Sequence, residues 1–321
     1  MFESRSEIEP VLTEAGLGAW AKAIEALCRP AVCFEASTAG AGGIGASRIG
    51  GLPDLPRDVA WPLREAYPHW QQIAAKLIHH GPALERGSLA GQPLHFVAQI
   101  ALDEARTALR GDSLPDAGRL LFFWDANCGP WTESELACRV VWDRSPLDAI
   151  GPREAPAELA SQDARRDFPR SFAEQPLSML GIWSMPDQLL LQELLQDEAF
   201  DQMLDDGDCD EFWDEVVNAQ GQLLASGREV LAHRLRGWPL PEQSDPRFMA
   251  AAAARGASFM LGSLSEEERA ACEADMHDWS LLLQVGCTAL NYAEGTVYFI
   301  MREADLEQRN FDRVHAVFQQ T

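Results

Sequence analysis

The residues with the clearest chemical potential occur twice. Arg48-Ile49-Gly50-Gly51-Leu52-Pro53 and Arg234-Leu235-Arg236-Gly237-Trp238-Pro239 lie 186 residues apart and share one order: arginine, aliphatic, any, glycine, apolar, proline. Gln99 follows Pro53 by 46 residues, and Gln284 follows Pro239 by 45. An arginine set ahead of Gly51 and Pro53, or of Gly237 and Pro239, offers a planar fork of donors to a carboxylate or phosphate. A glutamine on a strand can read a polar ligand. The same residues also fit a plainer role, in which each arginine pins a turn carbonyl and each glutamine satisfies backbone groups at a strand edge. One active site rarely needs two copies of a constellation, so the repeat favours the plainer role.

A second cluster is acidic. Between Arg170 and Arg228 there is no Lys or Arg, while thirteen carboxylates fall there, among them Glu193, Asp197, Asp201, Asp205, Asp208, Asp210, Glu211 and Asp214. Like charges at i and i+4, such as Glu193/Asp197 and Asp197/Asp201, each destabilise a helix by a few tenths of a kcal/mol. A basic partner would relieve that repulsion and be steered in by it, with Trp213 as a possible aromatic anchor. A solvated face is the competing explanation.

Other motifs fail on their spacing. Gly40-Ala41-Gly42-Gly43-Ile44-Gly45 matches a dinucleotide fingerprint, but Gly50, Gly51 and Pro53 leave no room for the helix that must follow. A calcium loop starting at Asp206 would need glycine at its sixth position and Glu at its twelfth; Glu211 and Val217 stand there. Seven scattered cysteines lack metal-site spacing and suit buried thiols in a reducing compartment. No metal, cofactor or catalytic residue is expected, although a reaction of unrecognised type stays open.

The bulk properties narrow the partners. Net charge is −24, with only two Lys among the 26 basic residues. Such acidity repels phosphate backbones, which argues against direct nucleic-acid binding. No stretch is apolar enough for a membrane span, and Met1 to Glu7 lacks the pattern of a secretion signal. A cytoplasmic protein is expected; the oligomeric state is open.

Stepping along the chain, residues 6–29 carry helical spacing through Ile8, Leu12, Leu17, Trp20, Ile24 and Leu27. A strand is expected at 31–34 and a helix around Trp70 to Leu77. Leu94 to Ile100 alternates as a half-buried strand, Leu120 to Trp124 suits a central strand, and Arg139 to Trp142 a shorter one. Residues 144–176 have little periodicity and read as a linker. Two acidic helices are expected over 187–227, a helical stretch near 246–276, and strands at Leu281–Val285, Thr296–Met301 and Val314–Phe318. Strands and helices do not alternate regularly, which points to an α+β fold. A long-period repeat of this kind marks a duplicated unit. The expected organisation is a first half over 1–143, a linker and acidic helical insertion over 144–227, and a second half over 228–321, the halves packing as one domain.

These signatures together resemble the YwqG-like family, bacterial proteins of unknown function. The resemblance rests on Gly50 to Pro53 with Trp61-Pro62, Pro93 to Ile100, Leu114 to Phe123, His233 to Pro239, Leu281 to Gln284, and Gly295 to Phe299. It implies mostly antiparallel sheets with an internal duplication and flanking helices, and no catalytic residues to carry over. Some relatives serve as immunity partners of secreted toxins, including nucleases. The resemblance and the charge together imply a non-catalytic immunity protein that covers a basic toxin, with a small-ligand module as the alternative, its pocket lying between the halves.

Overall fold

Antiparallel strands form the frame, and their order is nearly symmetric about its middle. The computed structural model describes residues 1–37, 42–76, 91–109, 113–131, 135–161, 171–207, 212–213, 223–257, 264–290 and 294–320. The first half supplies β1 (Arg29–Ala36), β2 (Arg48–Ile49), β3 (Asp54–Pro56), β4 (Leu63–Arg64), β5 (Gln92–Pro93), β6 (His95–Ala101), β7 (Arg119–Trp124) and β8 (Cys138–Asp143). Then come β9 (Ile150–Pro152), β10 (Gln175–Ser184), β11 (His233–Leu235), β12 (Trp279–Gly286), β13 (Thr296–Arg302) and β14 (His315–Gln319). Ten of them make one sheet in the order β14-β13-β12-β11-β1-β10-β2-β6-β7-β8. The central pair β1/β10 is antiparallel over eight residue pairs. From it, β2-β6-β7-β8 and β11-β12-β13-β14 run outward as matching wings.

The two wings fold toward each other. Phe122 of β7 meets Phe299 of β13 with ring centroids 5.0 Å apart, and Trp124 stacks on Phe318 at 5.6 Å. β7 and β13 lie near opposite ends of the strand order, so these contacts require a strongly curved sheet. One apolar core fills the space between the wings, taking Val97, Ile100, Leu120 and Phe122 from one side and Leu282, Val285, Val297 and Phe299 from the other. At the far edges Cys138 Sγ donates to Val314 O at 3.3 Å, bringing β8 beside the approach to β14.

Helices cover the outer surfaces. α1 (Ile8–Glu14) and α2 (Ala21–Leu27) pack with α5 (Gln188–Leu195) and α6 (Glu198–Asp205) around Phe2, Leu12, Ile24, Leu191 and Phe200. α3 (Trp70–Lys76) and α4 (Leu102–Leu109) close the first wing's share of the core. α7 (Pro246–Ala254) and α8 (Glu266–Met276) lie over β12–β14 through Phe248, Ala250, Cys272 and Met276. A short α9 (Glu303–Glu307) follows β13.

Three expectations change. Residues 144–227 were to be a linker and insertion, yet they contribute β10, which stands at the centre of the sheet. Its mixed sequence, with Pro176, Ser178 and Gly181, hides it because its register comes from β1 rather than from its own alternation. β6 was to be half-buried, but every residue of it is buried. Val97 and Ile100 face the central core, while Phe96 packs on the opposite face with Leu55, Leu94 and Phe123. Trp213 was a candidate surface anchor, but it is 2% exposed and belongs to the N-terminal helix core.

Candidate functional site

The repeated arginines and glutamines are strand partners. Arg48 of β2 pairs in register with Gln99 of β6, and Arg234 of β11 with Gln284 of β12. In each wing the arginine donates to the carbonyl four residues on: Arg48 Nη2 to Leu52 O at 2.7 Å, and Arg234 Nη1 to Trp238 O at 2.8 Å. In each wing the glutamine Oε1 accepts from the amide six residues beyond the arginine. Asp54 N and Leu240 N each lie 3.0 Å from it. The turn between has the same backbone in both wings. Gly50 and Gly51 take φ of 65° and 72°; Arg236 and Gly237 take 60° and 75°. Its first left-handed residue donates its amide to the carbonyl of Val97 or Leu282, the residues passed over at matching bulges in β6 and β12.

The polar contents of the two knots differ. In the first, the Asp54 carboxylate sits 2.6 Å from Arg48 Nη2 and also accepts from Gln99 Nε2 at 2.9 Å and Gly45 N at 2.7 Å. The Gly-rich segment therefore ends in a bond to Asp54, with β2 rather than a helix following. In the second, Leu240 replaces the aspartate. Arg234 is 2% exposed, donates to Met1 Sδ and neighbours Cys33, and its Nε has no acceptor. Among the described residues no carboxylate pairs with it. Burial lowers its pKa, and the nearby Cys33 opposes that shift.

Two residues on from Arg234, the second knot carries a charge that is paired. Arg236 donates to Ser280 Oγ and Leu281 O, both at 2.9 Å, and grips Glu303 through Nη2 at 2.8 and 3.0 Å. These bonds hold a non-glycine residue at positive φ, where backbone strain of about 1–3 kcal/mol is normal. Arg29 lies over the Trp238 ring at 3.5 Å and Arg247 at 4.8 Å. Burial first, then Arg247 and Arg236, pull the Arg29 pKa down to about 10. In the first wing, Asp125 accepts from Arg64 Nε at 2.5 Å and from Tyr67 Oη at 2.7 Å, in a fully buried group. Burial and the Asp125 charge raise the Tyr67 pKa well above its ordinary value, which ill suits that phenol to proton transfer near neutrality.

The acidic cluster is only partly described. Asp208, Asp210, Glu211 and Asp214 lie outside the described residues. Asp197 is the N-cap of α6, accepting from Ala199 N at 2.9 Å and Phe200 N at 3.1 Å, and the Phe200 bond leads in lowering its pKa. Asp201 accepts from Gln192 Nε2 at 3.2 Å. Glu193 and Asp205 are exposed. Among the described residues the sole ion-pair contact to Glu193, Asp197, Asp201 or Asp205 is His277 Nε2, 3.1 Å from Glu193. No distant arginine neutralises this face within that set.

Arg48, Gly51, Pro53 and Gln99 thus form one knot, and Arg234, Gly237, Pro239 and Gln284 the other. Glu193 lies on α5, and Asp197, Asp201 and Asp205 lie at the cap and along α6, outside both knots. Sequence reasoning missed Asp54, six residues after Arg48, as well as the pairs Arg64–Asp125, Arg119–Asp143 and Arg236–Glu303. It also missed a groove beside Glu193 lined by Asp187, Asp245 and Glu273. Asp245 before Pro246 carried an N-cap signal; it accepts from Arg247 N at 2.9 Å. The described cysteines, Cys28, Cys33, Cys128, Cys138, Cys272 and Cys287, are buried free thiols. Among the described residues no group of three or more His, Cys, Asp or Glu is placed to hold a metal, and no helix is long and apolar enough to cross a membrane.

A family model described as a domain of unknown function (DUF1963) matches residues 47–319, which takes in both knots and nine of the ten strands of the large sheet. No curated protein matches the chain.

Proposed function

The chain belongs to the DUF1963 family, the YwqG-like proteins, and from that premise we propose that it is a non-catalytic binding protein that occludes a basic partner. The finer form of the proposal is a cytoplasmic immunity protein whose partner is a secreted nuclease toxin. One observation carries it: the carboxylates of α5 and α6 are left without Lys or Arg partners among the described residues, in a chain of net charge −24. Exposed charge of one sign steers an oppositely charged protein to the surface. A nuclease is basic around its substrate groove, because it must hold phosphates.

The test is a triple variant, Glu193→Gln, Asp201→Asn and Asp205→Asn, which spares the cap Asp197. Titrated against a purified basic nuclease domain that the wild type binds, it should bind roughly tenfold or more weakly, chiefly through slower association at low salt. Its melting temperature should stay close to wild type. Unchanged affinity and unchanged salt dependence would remove this surface from the interface.

A small-ligand role has one observation in its favour, though not at the repeated residues. A cleft of about 390 Å³ lies where the wings meet, lined by Glu135 and Leu136 from one side and Trp279, Arg302, Arg313 and His315 from the other. Arg48, Gln99, Arg234 and Gln284 are buried within their own turns instead. Saturable binding of a metabolite, abolished by Arg302→Ala with Arg313→Ala, would favour this role over occlusion.

A further inference from the structure

Glu193 stands at the rim of a groove whose chemistry is more specific than a negative surface. The groove, about 600 Å³, lies between α5, the start of α7 and α8. Its acidic lining is Asp187, Glu193, Asp245 and Glu273, against one cation, Arg269. Its apolar lining includes Leu189, Phe248 and Met276. Leu189 is 72% exposed, the highest value among the large hydrophobic residues described. An exposed leucine on a groove wall is stabilised when a partner covers it.

We propose that this groove receives an arginine- and leucine-type segment of the basic partner, an amphipathic cationic peptide stretch rather than a bare patch of charge. The inference rests on the occlusion reading above and assigns it a place. The aliphatic stem of a guanidinium or ammonium side chain would lie on Leu189 and Met276, and its head would reach Glu193 or Glu273. The groove's own cation lies against its apolar lining: the Arg269 guanidinium is 5.8 Å from the centre of the Phe248 ring. Charge selects the sign of the occupant. Asp245 is engaged by Arg247 at 2.5 Å, whereas Glu193 has only the half-exposed His277 and Glu273 has no ion-pair partner among the described residues. Asp187 caps α5 through Leu190 N, and burial, with the Asp245 charge adding to it, raises its pKa. A cation entering the groove would relieve that repulsion.

Two peptide probes separate this proposal from its premise: an alternating arginine–leucine peptide and an oligolysine of equal charge. Each is titrated by calorimetry into the full chain and two variants. The groove variant is Leu189→Ser with Glu273→Gln, both at the surface. The distant variant, distant in the sense that neither residue lines the groove, is Asp201→Asn with Asp205→Asn. The expected result is tighter binding of the arginine–leucine peptide than of oligolysine, weakened roughly tenfold in the groove variant and less than threefold in the distant one. Glu273→Gln alone should give an intermediate loss, which guards against a folding defect from Leu189→Ser. Equal binding of the two probes, or loss in the distant variant only, would overturn the groove while leaving a basic partner in place. Absence of binding by either probe at low salt would overturn the basic-partner reading and the groove with it.

Discussion

The two Arg/Gln knots share a turn backbone and part company at the sixth residue after the arginine, Asp54 in one and Leu240 in the other. Asp54 gives the first a carboxylate with three donors; Leu240 gives the second none. The shared parts are the arginine bond to the i+4 carbonyl, the glutamine bond to the i+6 amide, the left-handed turn and the matching bulge. Those parts define the turn. The ion pair is an addition to one copy, and the second copy keeps a buried guanidinium beside Cys33 and Met1 Sδ instead. A duplicated signature in sequence therefore marked a duplicated fold device, and charge pairing was free to diverge within it.

The comparison can be broken most forcefully at Asp54. Asp54→Ala would strand Arg48 in a buried site, and removing one partner of a buried pair costs about 3–5 kcal/mol. Chemical denaturation should show that loss. A loss under about 1 kcal/mol would mean the first knot, like the second, stands without its carboxylate.

The turn comes next. At Gly50 an added Cβ would lie 2.1 Å from Ala173 O, with φ at +65°. Gly50→Ala should therefore cost at least about 2 kcal/mol, whereas the matching position in the second knot already carries Arg236. If Gly50→Ala is tolerated, the two turns are freer than their common geometry implies.

Histidines sharpen the contrast between wings through pH. Burial depresses His95, His233 and His315 to about 4, one in the first wing and two in the second. For His315 the charges of Arg302 and Arg313 add to the effect. Their folded pKa lies below the ordinary 6.5, so the unfolded chain binds more protons between pH 6.5 and 4. Stability is thus full above pH 6.5 and falls as pH drops toward 4. At pH 5 each histidine should account for about 2 kcal/mol of loss relative to pH 7. His233→Gln, read by melts at both pH values, should shrink the acid-induced drop by about that amount; no change would place His233 in a polar setting.

The smallest effect is expected at Arg234. Replacing a buried charge that has no carboxylate by a well-packed apolar side chain is often neutral or stabilising. Arg234→Met should change stability by no more than about 1 kcal/mol, since one carbonyl, that of Trp238, and the weakly accepting sulfurs of Met1 and Cys33 lose a donor. A loss as large as that of Asp54→Ala would show that the second arginine has a partner of equal weight.

Much of this architecture could be read from residue spacing. The six-residue signature and the 45- and 46-residue intervals marked Arg48, Gln99, Arg234 and Gln284 as repeated turn and strand residues, while their pairing, Arg48↔Gln99 and Arg234↔Gln284, is set by the folded sheet. Short apolar runs such as Leu120 to Phe123 also sit where their composition placed them. β10 was not legible, because a strand with a half-exposed, irregular pattern takes its identity from distant β1. Nor was the meeting of the wings, which depends on sheet curvature rather than on any local signal. At the candidate surface, the acidic run was visible, but the groove was not: Asp187, Asp245 and Glu273 come from three elements that only packing brings together.

The place of β1 has a practical consequence. Residues 29–36 precede the segment matched by the family, yet they bond to β10 on one side and β11 on the other. A fragment trimmed to residues 47–319 would lose the strip that joins the wings. It would bare two facing rows of unsatisfied amides and carbonyls, and such rows recruit strands from neighbouring molecules. Insolubility in that fragment would follow from the cut itself and would say nothing against the integrity of either repeat.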